Sequence, residues 1–106
     1  MKINILDIIN SNLATNIEDG VNVFNVISDI NPDSLILSFE GIKRISTAFL
    51  NESIGQYALI HNNVNTNNFV FPEDKPMFKF KVEDIIENAL LGDQYDELVD
   101  NMIVSL

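Results

Sequence analysis

Residues 35–39, Leu-Ile-Leu-Ser-Phe, constrain this chain more than any other stretch. Apolar side chains fall on both alternating faces of the run. A strand of that kind needs cover above and below, which an edge position or a one-sided hairpin cannot give. It is expected to be a central strand. Glu40-Gly41 then turns the chain, and Ile42 and Ile45 flank two bases, Lys43 and Arg44. Ser46 or Thr47 can cap a following helix, because a hydroxyl there accepts a hydrogen bond from a free backbone N–H. The helix is expected to reach about Asn62, with a core stripe of Leu50, Ile54, Tyr57, Ala58 and His61 or Ile60 at spacings of three and four.

The flanking segments have to supply the neighbours of that strand. Ile3 and Ile5 alternate in a short strand over Lys2–Ile8, broken at Asn10–Asn12. Thr15-Asn16-Ile17-Glu18 has the form of a capping box. A helix is expected from there to about Ile30, with an apolar face of Val21, Val23, Phe24, Ile27 and Ile30. Gly20 weakens it by about 1 kcal/mol, and Asn31-Pro32 ends it. Residues 62–68 hold five asparagines and are expected to be an exposed loop without chemistry. A short strand follows over Asn68–Phe71, then a turn between Pro72 and Pro76. Met77–Val82 alternates Phe78, Phe80 and Val82 against Lys79 and Lys81, the pattern of a half-buried strand guarded by lysines. Two helices are expected to close the chain. The first carries Val82, Ile85, Ile86, Ala89 and Leu90 and stops at Gly92. The second is capped by Asp93 and has the apolar set Tyr95, Leu98, Val99, Met102, Ile103 and Leu106. Strands alternating with helices imply an α/β domain with a mixed or parallel sheet and helices packed against it.

At 106 residues the chain is the size of one domain, 1–106, and 46% hydrophobic residues supply a core. Without cysteine there is no disulfide and no thiolate metal site, which suits a reducing compartment. No apolar run approaches the roughly 18 residues of a membrane span. Lys2 and Asp7 at the N-terminus do not make a signal peptide. Cytoplasmic location is the expectation. The net charge of −10, from 16 acids against 6 bases, repels phosphate backbones and anionic lipids. Neither nucleic acid nor membrane is expected as a partner. His61 is the only histidine, so no metal centre is expected, and Asp93, Asp96, Glu97 and Asp100 have the spacing of a solvated helix face. No cofactor motif is present. Glu40, Glu52 and His61 form no recognisable catalytic set, and no enzyme activity is expected.

Leu35 through Gly55, with Phe39-Glu40-Gly41-Ile42, the Ser46-Thr47 step and Phe49-Leu50-Asn51-Glu52, resembles the STAS-like domain family of unknown function. That family is in turn similar to the STAS domains of bacterial anti-sigma-factor antagonists. The resemblance implies a small, mostly parallel sheet with helices packed mainly on one face. It also implies a non-enzymatic regulatory module that docks on a kinase-like anti-sigma factor or another ATP-binding regulator. In the antagonists, phosphorylation of a serine at the start of the helix after the central strand turns docking off. Laid over that motif, Ser46 takes the position of an aspartate, Thr47 that of the phosphorylated serine, Ala48 the next position and Phe49 that of a glycine. Phe49 and Glu52 match the STAS-like family better than the antagonists. The residues so implied are Thr47, with Ser46, for phosphorylation, and Lys43, Arg44, Phe49, Asn51, Glu52 and Gln56 for partner contact. Lys43 and Arg44 can otherwise pair with Glu40 or Glu52. The alternative from the residues themselves is a homodimeric structural or inhibitory protein that uses the acidic amphipathic C-terminal helix.

Overall fold

The central strand lies where its composition demands. In the computed structural model, which describes the backbone of residues 1–104 and the side chains of residues 1–91, β3 (Ile36–Ser38) is the middle of a three-stranded sheet. It pairs in parallel with β1 (Lys2–Asn4) and with β5 (Phe69–Val70). Leu37, Ser38 and Phe39 are fully buried. Ser38 is a polar atom in this core because its hydroxyl is doubly used: it donates to Glu40 Oε1 (2.9 Å) and accepts from the Glu40 N–H (3.1 Å). Phe39 sits among Phe69, Phe71 and Phe78, stacked on Phe71 with centroids 5.5 Å apart. The chain is thus an α/β fold with small parallel sheets, as expected.

The expected first strand is cut short. After β1 the chain enters a helix, α1 (Ile5–Ile9), closed by Asn10 in the left-handed region at φ 54°. Ile5, Leu6, Ile8 and Ile9 lie at helical spacings, and Ile5 is fully buried. A second parallel pair, unforeseen because each partner has only two residues, joins β2 (Leu13–Ala14) to β4 (Arg44–Ile45). The next helix, α2 (Ile17–Ile27), is capped by Asn16 rather than Thr15. The Asn16 side chain accepts from the Asp19 N–H (2.8 Å) and donates to the Asp19 carboxylate (3.0 Å). Its buried face is Gly20, Val23 and Ile27, and Val21 points outward.

The helix after β4 has three parts: α3 (Thr47–Leu50), a π-helical turn (Asn51–Gly55) and α4 (Gln56–Ile60). Its buried residues come in pairs four apart: Phe49 with Leu50, Ser53 with Ile54, and Tyr57 with Ala58. Steps of four drift about 40° around a regular α-helix. A wider turn in the middle offsets that drift and keeps all three pairs facing inward. Ser53 stabilises the turn by donating to the Phe49 carbonyl at 2.8 Å.

The asparagine-rich segment is more than a loop. Asn68 is buried and donates from Nδ2 to the carbonyls of Pro32 (2.7 Å) and Leu35 (2.9 Å), while its Oδ1 accepts from the Asn65 N–H (3.0 Å). It ties the start of β3 to β5. The expected strand at Met77–Val82 is helix instead, the opening of α5 (Pro76–Val104). Phe78 and Val82 satisfy both a period of two and a helical step of four. Phe80 separates the readings, and it is 56% exposed. Pro76 suits a first helical turn, where no N–H is missed. The expected break at Gly92 is absent, since glycine costs a helix only about 1 kcal/mol. The side chains of Tyr95, Leu98, Val99, Met102, Ile103 and Leu106 lie outside the described residues.

Phe78→Ala is predicted to lower unfolding stability by about 3 kcal/mol through the cavity it leaves. Phe80→Ala is predicted to change it by less than about 0.5 kcal/mol. Urea denaturation of the pair checks the helical register of this segment, and equal losses would restore the strand.

Candidate functional site

The segment that carries the site residues begins at the turn after β3. Gly41 has φ +82°, where a side chain would be strained. Glu40 leaves the core here and meets Lys2, with 2.7 Å between Oε1 and Nζ. The hydrogen bond from Lys2, then that from Ser38, then the Lys2 charge hold its carboxyl below the usual range. The expected pairing of Glu40 with Lys43 or Arg44 is therefore not formed. Among the described residues, Lys2–Glu40 is the ion pair present. Glu52 does not pair with Lys43 or Arg44 either.

Ser46 is the helix cap. Its Oγ accepts from the Phe49 N–H (3.1 Å) and donates to the Thr15 carbonyl (2.7 Å), which fastens the start of α3 to the loop between β2 and α2. The Ser46 hydroxyl is half-buried and fully engaged. Thr47 is exposed, and among the described residues its hydroxyl has no hydrogen-bond partner. Of the two hydroxyls singled out for phosphorylation, Thr47 presents the freer one.

Around Thr47 the exposed positions form a ridge. Lys43, just before β4, and Arg44 on it precede Thr47, and Asn51 and Gln56 follow it, all exposed. Asn51 and Gln56 are five apart, which would diverge on a regular helix. The π-turn between them brings both to the same hollow of about 200 Å³, shared with Leu59 and with Ile85 and Ala89 of α5. Leu59 is 60% exposed and gives the hollow an apolar lip. Glu52 is half-buried at the edge of the ridge, its Cβ packed towards Gly20. Phe49 departs from the expected set. It is fully buried in the core, because its pairing with Leu50 on the inward face leaves no exposed edge, and it cannot touch a partner.

Gly20 sets the height of this ridge above the core. A Cβ there would lie 2.7 Å from the Phe49 carbonyl oxygen and 3.0 Å from Glu52 Cβ. Only a glycine lets α2 and α3 approach so closely. On the opposite side Tyr57, almost fully buried, donates from its hydroxyl to the Ile30 carbonyl (2.6 Å), and burial pushes its pKa up to about 12. His61 lies 2.8 Å from the Ser28 carbonyl through Nε2 and packs tilted against Tyr57 with ring centroids 4.6 Å apart, a structural position.

A second hollow, of about 430 Å³, adjoins the ridge. Lys43 and Arg44, before and on β4, share it with Lys75, just ahead of α5, and Lys81 in its first turns. Sequence reasoning missed the last two as site residues because it placed Lys81 on a strand edge and Lys75 in a turn. The signal was the concentration of a scarce charge: Lys75, Lys79 and Lys81 are half of the chain's bases.

Geometry of this kind defines a small α/β fold with an exposed helix start directly after its second parallel strand pair. Residues 19–68, just under half of the chain, match the family model of the STAS-like domain of unknown function. The match contains the whole segment whose resemblance was evident from Leu35 to Gly55, together with Gly20 and Asn68. No curated protein and no solved structure matches the chain significantly. Among the described residues no helix is long and apolar enough to cross a membrane, and no three His, Asp or Glu side chains gather as metal ligands.

Ser46→Ala is predicted to cost about 1 kcal/mol by removing the cap, whereas Thr47→Ala is predicted to stay within about 0.5 kcal/mol; chemical denaturation measures both. Gly20→Ala is predicted to cost about 1–3 kcal/mol, since its methyl group meets backbone that must move. For Tyr57 the folded state holds its proton longer than the unfolded one. Its contribution is therefore complete below the ordinary value of 10.0 and is lost as pH rises from there towards about 12. Tyr57→Phe should be less stable at neutral pH by roughly 1 kcal/mol and lose less stability across that alkaline window, as thermal melts at stepped pH would show.

Proposed function

We propose that this chain is a non-enzymatic, cytoplasmic regulatory module that binds a protein partner through the ridge formed by Lys43, Arg44, Thr47, Asn51, Glu52 and Gln56. The observation that carries the reading is the π-turn, which turns Asn51 and Gln56 to one exposed face beside an apolar hollow. Such turns are energetically poorer than regular helix and recur at functional positions. A polar rim around an exposed apolar side chain, here Leu59, is the composition of a protein contact surface. The family match covers the ridge completely.

The STAS-like family suggests the class of partner: a kinase-like anti-sigma factor or another ATP-binding regulator. It also suggests the switch. A phosphate on Thr47 would add about −1.5 to −2 charge at the exposed start of a helix. The domain itself would tolerate it, because free N–H groups at a helix start favour anions. A partner seated on the ridge would have to desolvate that charge, and docking would weaken. Ser46, with both hydroxyl functions engaged inside the fold, is the poorer acceptor.

Calorimetric titration of this chain with a purified kinase-like anti-sigma protein is expected to show binding. Asn51→Arg with Gln56→Arg is expected to weaken it by about tenfold or more at an unchanged melting temperature. Incubation with the same protein and ATP is expected to add one phosphate to the intact mass, and none in Thr47→Ala. Binding that ignores the double substitution would remove the ridge from the account, and an unchanged mass would remove the switch alone.

A further inference from the structure

We propose that the hollow between β4 and the first turns of α5 receives an acidic segment of a protein partner that also carries an apolar side chain. The proposal rests on the protein-binding role given to the ridge and adds the chemistry of what binds beside it. The chain has only 6 bases against 16 acids. Four of those bases, Lys43, Arg44, Lys75 and Lys81, line this one hollow. A fifth, Lys2, is taken up by Glu40 elsewhere. Among the described residues none of the four lies within ion-pair distance of a carboxylate, although the chain is rich in acids. Like charges gathered without counterions repel one another, and an incoming carboxylate relieves that repulsion.

The shape of the hollow selects among anions. Ile45 and Phe78, both nearly buried, belong to its floor, and Met77 beside them is 60% exposed. A charged rim over an apolar floor fits a peptide with carboxylates around a hydrophobic side chain. A compact phosphate group would call for converging, well-ordered donors. Here Lys43, Arg44 and Lys81 are exposed and Lys75 is half-buried, on flexible stems spread over two elements. Nucleic acid and anionic membranes extend well past the rim, where the net charge of −10 opposes them. A short acidic segment stays inside it, and contacts beyond the Debye length of about 8 Å are screened at physiological salt.

The test uses the full chain and fluorescence anisotropy with a fluorescein-labelled peptide of glutamates flanking two leucines. A single-stranded oligonucleotide of equal charge and phosphatidylserine vesicles are run in parallel. The peptide is expected to bind, and Lys75→Glu with Lys81→Glu is expected to weaken it by about tenfold or more. Lys43→Glu with Arg44→Glu, on the opposite wall, should do the same, which covers the case in which one pair fails to fold by circular dichroism. Raised salt should weaken binding, and Lys2→Ala, which removes a charge already spent on Glu40 outside this hollow, should leave it unchanged. No peptide binding, binding indifferent to both charge reversals, or tighter binding of the oligonucleotide or vesicles would overturn the proposal. Failure of the kinase-like protein to bind the unsubstituted chain, with peptide binding intact, concerns the ridge alone.

Discussion

Residue 20 has no room for a side chain. Its helix rests against the carbonyl of Phe49 so closely that a methyl group would sit 2.7 Å from that oxygen. The same carbonyl accepts the Ser53 hydroxyl, so one peptide group is held from two sides. From that point the rest follows in order. α2 and α3 lie in near backbone contact, Phe49 is driven fully into the core, and the π-turn begins directly after α3. The exposed positions Thr47, Asn51 and Gln56 are what remains outside. The ridge proposed for partner binding is therefore the outer side of a close helix-to-backbone contact within the family-matched segment.

Polar groups finish what the apolar core begins. Ser38, Ser53 and Asn68 are buried, and each has its hydrogen bonds satisfied by nearby backbone or by Glu40. Among the described residues no buried side-chain nitrogen or oxygen lacks a partner. A buried polar group left unpaired costs about 1–3 kcal/mol, so these three positions fix strand and turn geometry more sharply than apolar packing alone. Asn68 in particular joins the entry of β3 to that of β5, and Ser46 joins α3 to the loop before α2. Loop asparagine and serine residues thereby hold the parallel strands in register, a task that strands of two or three residues cannot perform by themselves.

The parts legible in the sequence were those where one period had no rival. Leu35–Phe39 is mostly apolar on both faces, and its middle, Ile36–Ser38, is the central strand. Ser46 precedes a helical stripe and is its cap. Leu50, Ile54, Tyr57 and Ala58 are all buried as their spacing implied. Where two periods overlapped, local pattern misled. Phe78 and Val82 serve a strand or a helix equally, and the exposure of Phe80 between them decides for the helix. Two-residue strands such as Leu13–Ala14 leave no periodic trace at all. Phe49 was placed on the contact surface by resemblance, but the residues beside it needed a wide helical turn that spacing does not reveal. The basic hollow depended on bringing residues 43–44 and 75–81 together, which is a property of the tertiary fold.

The central claim, that Gly20 seats α2 directly on the backbone at Phe49 and Glu52, is most directly tested by nuclear Overhauser spectroscopy on the isotopically labelled chain. A strong cross-peak between a Gly20 α-proton and the Glu52 β-protons is predicted, accompanied by a Ser53 hydroxyl or amide pattern of the wide turn. A folded protein whose Gly20 α-protons show no contact with residues 49–52 would contradict the packing from which the ridge derives.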